Sequence, residues 1–177
     1  MNGELIENRI VIWDPKDARD LFSESYYGKP IGVSKPKPEE ISGPLILDLI
    51  EGCYLQEKSR LVIFKSKKRV TRNQMLEICR SEHHNFDKKY LVYKDFRDKK
   101  YIINPGIKFG CDFAVYQRGP GIDHAPYLVQ VYSRNDPISS TGVVLAGRLA
   151  TSVKKNFILA IPHGEKVSYL ALDWWRA

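Results

Sequence analysis

The sequence predicts a mixed α/β protein of the α+β type, built as a small N-terminal α/β domain over 1–84 and a C-terminal mixed-sheet domain over 85–177. Three observations carry that expectation. Short apolar runs with β-branched residues alternate with helix-period segments in both halves. A polar stretch from Ser81 to Lys89, almost free of apolar residues, divides them. Of the 177 residues, 43% are hydrophobic and 11% aromatic, enough to bury a core and too many for a disordered chain.

In the N-terminal half, Leu5 to Trp13 ends in Ile10-Val11-Ile12-Trp13 and reads as one strand. Asp14-Pro15 then offers a helix N-cap followed by proline in the first helical position, where its missing N–H costs nothing. That helix runs to about Tyr27, with Gly28 and Pro30 as stop signals. Pro36 and Pro38 mark a connection. From Pro44, the spacing of Leu45, Leu49, Cys53 and Leu55 predicts a mostly buried helix. Arg60 to Phe64 reads as a short strand, and Thr71-Arg72-Asn73-Gln74 as a capping box opening a helix through about Arg80.

In the C-terminal half, a helix from Phe86 to Asp98 turns Phe86, Tyr90, Tyr93 and Phe96 towards a core. Strands follow at Tyr101 to Asn104, Cys111 to Gln117 and Tyr127 to Tyr132. A helix over roughly Ser140 to Val153 leads to strands near Asn156 to Ile161 and Lys166 to Leu172. Trp174 and Trp175 suit a C-terminal strand alternating between core and a dimer interface.

The net charge of +7 favours a polyanionic partner. The run Lys58, Arg60, Lys65, Lys67, Lys68, Arg69 and Arg72 contains no intervening acid; it fits either phosphate contacts or a charged turn between strand and helix. Three widely spaced cysteines read as reduced thiols. With no apolar leader and no apolar run near the roughly 20 residues of a spanning helix, the expectation is a cytoplasmic chain without a membrane segment. Cys79 with His83 and His84 has a metal-like spacing but lacks a fourth ligand, so neither metal nor other cofactor is expected.

The candidate chemistry lies in Tyr116, His124 and Lys155. Tyr116 ends a strand, and His124 follows the glycine-proline turn Gly119-Pro120-Gly121-Ile122-Asp123. Lys155 stands where a helix gives way to a strand. A phenol, an imidazole and an ammonium can supply a base, an acid and a charge clamp, a set sufficient to cleave RNA at a phosphate without a metal.

The surrounding motifs are Lys108-Phe109-Gly110-Cys111-Asp112-Phe113-Ala114-Val115-Tyr116, then His124 with Tyr127-Leu128-Val129, then Arg148-Leu149-Ala150-Thr151-Ser152-Val153-Lys154-Lys155. In this order they resemble the tRNA-splicing endonucleases, in particular the catalytic subunit of the archaeal tRNA-intron endonuclease. The resemblance implies a C-terminal nuclease domain that cuts precursor tRNA at bulge-helix-bulge intron boundaries, leaving 2′,3′-cyclic phosphate and 5′-hydroxyl ends. It implies Tyr116 as general base on the 2′-hydroxyl, His124 as acid to the leaving 5′-oxygen, and Lys155 as the clamp on charge at phosphorus, with Lys154 as its rival. A phenol of pKa near 10 is only about a thousandth ionised at pH 7, so a neighbouring ammonium that lowers it would serve twice.

The same resemblance implies that Arg148 stacks on a flipped-out base, with Arg176 as the candidate second arginine and Lys154 as a further RNA-binding residue. Homo-oligomeric members dock an acidic loop near the C-terminus into a partner. The corresponding Pro162-His163-Gly164-Glu165-Lys166 here has one acid and one base, and Pro137 to Gly164 has no acid. The implied assembly is a heterotetramer in which a second, structural subunit supplies the acidic loop, with a homo-oligomer as the alternative.

Two other readings compete. A metal-dependent DNA nuclease or resolvase needs an acid on one strand and acid-x-Lys on the next. Asp112 could be the first, but Gln130-Val131-Tyr132 stands where the second belongs. A non-catalytic RNA-binding subunit of the same enzyme would be expected to lack the tyrosine, histidine and lysine together.

Overall fold

A computed structural model describes the chain apart from residues 34–35, 38–39, 121, 123–125, 153 and 173–177, and apart from the side chains of 149 and 150. It is an α+β protein with five helices and two mixed sheets among the described residues, and it separates into units 1–86 and 87–177. No helix among the described residues is long and apolar enough to cross a membrane.

The first unit opens with a hairpin, β1 (Asn2–Ile6) and β2 (Arg9–Ile12), where a single strand is expected; Glu7 adopts φ 52° in the turn between them. The apolar run belongs to β2 alone, and the polar Glu7-Asn8 pair lets the chain reverse. Asp14 caps α1 (Pro15–Ser25) by accepting from the amides of Lys16 and Asp17, as its position before proline predicts. Tyr26, at φ 53°, ends the helix two residues before Gly28.

A short β3 (Lys29–Pro30) follows, then β4 (Leu45–Asp48) and α2 (Leu49–Glu57). The expected helix from Pro44 is therefore a strand that becomes a helix at Asp48, whose side chain forms a capping box with Glu51. Leu45 and Leu47 alternate into the core at period two before Leu49, Cys53 and Leu55 continue at helical period. Gly52 lets α2 close on β2, because a Cβ there would stand 2.0 Å from the Ile10 Cδ1 atom.

Next come β5 (Val62–Lys65), β6 (Lys68–Arg69) and α3 (Arg72–Glu82), the last opened by the predicted Thr71–Gln74 capping box. The sheet order is β3-β4-β2-β1-β5-β6, with β1 and β5 parallel. Cys53 and Cys79 are buried between α2 and α3, the Cys79 thiol donating to the Leu49 carbonyl at 3.8 Å. Neighbouring Cys53 and burial push that thiol far above its ordinary range. His83 instead faces Asp48, its Nε2 3.5 Å from Oδ1, and His84 is exposed, so the three residues with metal-like spacing do not gather at one point.

The second unit is entered through α4 (Phe86–Asp98), whose Phe86, Tyr90, Tyr93 and Phe96 are all buried. Its sheet contains β7 (Ile102–Pro105), β8 (Phe113–Tyr116), β9 (Tyr127–Val131), β10 (Asn156–His163) and β11 (Lys166–Leu172) in the order β11-β10-β9-β8-β7. Among the described residues of this sheet only β9 and β10 run parallel, and α5 (Ser140–Ser152) connects them. Tyr93 packs against Phe113 on one face of the sheet, and the buried Arg97 donates to the Tyr93 hydroxyl at 2.9 Å and the Ile103 carbonyl at 3.3 Å. On the other face Ala114, Leu128, Phe157 and Leu159 form an apolar cluster with Cys111, covered by Ala146 of α5.

Candidate active site

The strand register brings Tyr116 and Lys155 to one end of the second sheet. Val115 pairs with Tyr127 across β8 and β9, and Tyr127 pairs with Asn156 across β9 and β10. One residue beyond those pairs, Tyr116 and Lys155 flank Pro126, whose carbonyl accepts from the Asn156 amide at 2.8 Å. Two strand spacings separate their backbones, about 10 Å, a gap that two long side chains can close. Tyr116 shares the face of Ala114, at period two, and packs half-buried on the Ala114–Leu128–Phe157 cluster.

The same cluster anchors Phe109, and the Lys155 Nζ lies over the Phe109 ring, 5.4 Å from its centroid. Lys108 Nζ approaches the same ring at 5.9 Å. Phe109 closes a 3₁₀ turn, Ile107–Phe109, held by a compact loop. The Gly106 carbonyl accepts from Phe109 N at 2.8 Å and Cys111 N at 3.3 Å, and Gly106 N donates to the Asp112 carbonyl at 2.9 Å. Gly110, at φ 67°, ends the turn. In the sequence the signal for Phe109 is an aromatic ring directly after a lysine, in a segment leading into the tyrosine strand.

His124 lies outside the described residues, as do Arg176, Trp174 and Trp175. Around His124, the Gln117 Nε2 donates to the Tyr127 hydroxyl at 3.3 Å, tying together the two ends of the connection in which the histidine falls. Arg148 is exposed on α5. Lys154 is exposed at φ 52°, in a turn closed by its amide on the Thr151 carbonyl at 3.2 Å; the ammonium over Phe109 is that of Lys155.

Asp112 is occupied by the scaffold. Its carboxylate accepts from Gln130 Nε2 and Val131 N, both at 2.8 Å, and pairs with Lys89 Nζ at 2.7 Å. A metal ion would have to displace those donors. Cys111, beside it, is also passive: burial, above all, pushes the thiol up to about 11, so it is protonated at neutral pH. Among the described residues no three His, Cys, Asp or Glu side chains gather as a metal cage would require.

The family model for the tRNA intron endonuclease catalytic C-terminal domain matches residues 86–169, and that for the tRNA intron endonuclease N-terminal domain matches residues 1–76. A tRNA-splicing endonuclease of Sulfurisphaera tokodaii is 44% identical, over 99% of both chains. Others, from Pyrobaculum islandicum and Hyperthermus butylicus, are 44% and 40% identical over 98% and 96% of both chains. The chain thus belongs to the tRNA intron endonuclease family, as an enzyme that has both the N-terminal and the catalytic C-terminal domain.

Proposed function

We propose that the chain cleaves precursor tRNA at its intron–exon junctions, within a bulge-helix-bulge, by attack of the substrate's own 2′-hydroxyl and without a metal. The observation that supports this reading is that Tyr116 and Lys155 stand at the same end of the second sheet, on either side of the start of β9. His124 falls in the connection between the end of β8 at Tyr116 and the start of β9 at Tyr127.

Tyr116, as phenolate, takes the proton from the 2′-hydroxyl as that oxygen forms its bond to phosphorus. The bond from phosphorus to the 5′-oxygen breaks, and His124, as imidazolium, protonates the departing oxygen. Lys155 stabilises the charge that accumulates on the phosphoryl oxygens. No water is consumed: the products are a 2′,3′-cyclic phosphate and a 5′-hydroxyl. Lys155 is preferred to Lys154 because its ammonium is seated on a ring anchored in the sheet, whereas Lys154 is exposed in the turn.

Arg148, exposed on α5, has a guanidinium plane suited to stacking on an unpaired base, and Arg176 is its proposed counterpart. The β10–β11 hairpin turns at Gly164, φ 58°, with Glu165 as its acid. So weakly acidic a turn suits an assembly in which a different, structural chain supplies the acidic loop. Activity of this chain alone, at the mass of a homo-oligomer by light scattering, would remove that part of the proposal.

The test is cleavage of a bulge-helix-bulge RNA in excess EDTA, with and without a candidate second chain, with the new ends analysed chemically. Cyclic phosphate and 5′-hydroxyl ends are expected. Abolition by EDTA with restoration by Mg²⁺ would sink the metal-independent mechanism.

A further inference from the structure

The basic run of the first unit divides into two groups. Arg60 forms a fork with Glu24 and lies over the Tyr27 ring, Arg72 pairs with Glu57 at 2.6 Å, and Lys58 stands over Tyr54 at 5.2 Å. These three serve the fold. The other four, Lys65, Lys67, Lys68 and Arg69, occupy the β5–β6 hairpin, are all exposed, and pair with no carboxylate among the described residues.

That hairpin departs from local rules three times. Its two-residue turn, Ser66-Lys67, has both residues at positive φ, 48° and 65°, a conformation that favours asparagine and glycine. Lys65 and Lys68 face each other directly across the ladder, where like charges repel. Four cations stand within five residues, with no carboxylate partner among the described residues. None of this aids folding, and local conflicts of this kind collect at functional sites.

The root of the hairpin is firm. Ile63 and Val70 are buried, Val70 N donates to the Ile63 carbonyl at 2.8 Å, and Gln56 Nε2 donates to the Val70 carbonyl at 2.8 Å. A core-anchored ladder thus presents a compact, unpaired positive tip. Such a tip matches closely spaced phosphates, and Arg69 adds a fork able to hold one phosphate bidentately.

We propose that the β5–β6 hairpin is an RNA-binding surface that grips the phosphate backbone of the folded tRNA body through Lys65, Lys67, Lys68 and Arg69. The choice of RNA among polyanions rests on the reading of the chain as a precursor-tRNA nuclease. The contact is to backbone and is independent of base sequence, so mature and intron-containing tRNA use it alike.

The test measures binding of the full chain to intron-containing tRNA, mature tRNA and heparin across a salt series. The variants are a quadruple glutamine substitution (K65Q, K67Q, K68Q, R69Q) and a charge-preserving one (K65R, K67R, K68R). For both RNAs the glutamine variant is expected to bind about tenfold or more weakly at low salt. Its plot of log K against log salt should be shallower by roughly one per lost phosphate contact. The arginine variant should keep the wild-type slope. Thermal melting of the glutamine variant should match or exceed wild type, because the Lys65–Lys68 repulsion is gone.

An unchanged salt slope, or weakening towards heparin alone, would overturn the proposal. So would a large fall in melting temperature, which would mean that the cations serve the fold. Failure of the wild-type chain to cut precursor tRNA, with its partner present, would defeat the nuclease reading while the binding slopes still judge the hairpin.

Discussion

The Lys155 ammonium lies over the ring of Phe109, 5.4 Å from its centroid, and that ring packs on the apolar cluster that also supports Tyr116. One aromatic side chain therefore links the proposed charge clamp to the sheet that carries the proposed base. A partly desolvated contact between ammonium and aromatic face is worth about 1 kcal/mol. Phe109→Leu should slow single-turnover cleavage roughly fivefold, while Phe109→Tyr, which keeps the ring, should stay near wild type. Combining Phe109→Leu with Lys155→Ala should cost little beyond Lys155→Ala alone, since the ring would have no cation left to hold. Additive losses would mean that Phe109 does not act through Lys155.

Removing the phenolic oxygen while keeping the ring separates chemistry from packing at Tyr116. Tyr116 is only half-buried and its ring fills the edge of the Ala114–Leu128–Phe157 cluster, so Tyr116→Phe should fold and melt like wild type. Cleavage should fall by about 10² to 10⁴, the usual contribution of a general base or acid, and His124→Ala should fall in the same range. Rates are to be read at saturating RNA in single turnover. A Tyr116→Phe enzyme cutting at the wild-type rate would exclude the phenol as base.

Much of the second sheet was legible because its elements carry clean periods. Phe86–Asp98 and Ser140–Ser152 are helical, and Lys166–Leu172 is a strand with the expected bounds. The first unit was harder to read. Leu45 and Leu47 at period two run without a break into Leu49 and Cys53 at period four, so one apolar segment hid a strand-to-helix switch that only the Asp48–Glu51 capping box marks. Glu7 and Ser66-Lys67 turn the chain at positive φ without glycine, so neither hairpin carried its usual signal. At the site, sequence order pointed to Tyr116 and Lys155 separately. The strand–helix–strand order over β9, α5 and β10 is the signal of a parallel pair. The approach of Tyr116 and Lys155 also depends on the register of β9 with β8 and β10, which no local signal encodes.

Gly106 shapes the loop that presents Phe109. A Cβ there would stand 2.6 Å from the Cys111 Sγ, 2.7 Å from the Cys111 carbonyl oxygen and 2.8 Å from the Phe113 amide nitrogen, and the last two are backbone atoms that cannot rotate away. Gly106→Ala should therefore open the loop, costing about 2 kcal/mol in denaturant unfolding and slowing cleavage through a displaced Phe109. A control at Gly110, whose Cβ would meet nothing within 4 Å, tests the backbone instead; at φ 67° alanine there should cost about 1 kcal/mol. If Gly106→Ala were as stable as wild type, the tight packing of this loop would be refuted.

Asp48 gives the first unit a dependence on acid. Burial works to raise its pKa, but the nearby His83, the Ile50 amide and the Arg9 guanidinium, 3.2 Å away, together hold it below the ordinary carboxylate value. A carboxyl whose folded pKa is depressed contributes stability that is fully present above its unfolded value, near 3.8. That contribution is lost as pH falls through the lower folded value, because the unfolded chain then binds the extra proton first. Urea midpoints for wild type should accordingly decline below about pH 4 more steeply than those of Asp48→Asn, which removes the titrating group but keeps a capping oxygen for Ile50. At pH 7 the asparagine variant should be less stable by about 1 kcal/mol, and the gap should narrow as both approach pH 3. Parallel declines for the two proteins would show that the acid sensitivity of this unit arises from other carboxylates.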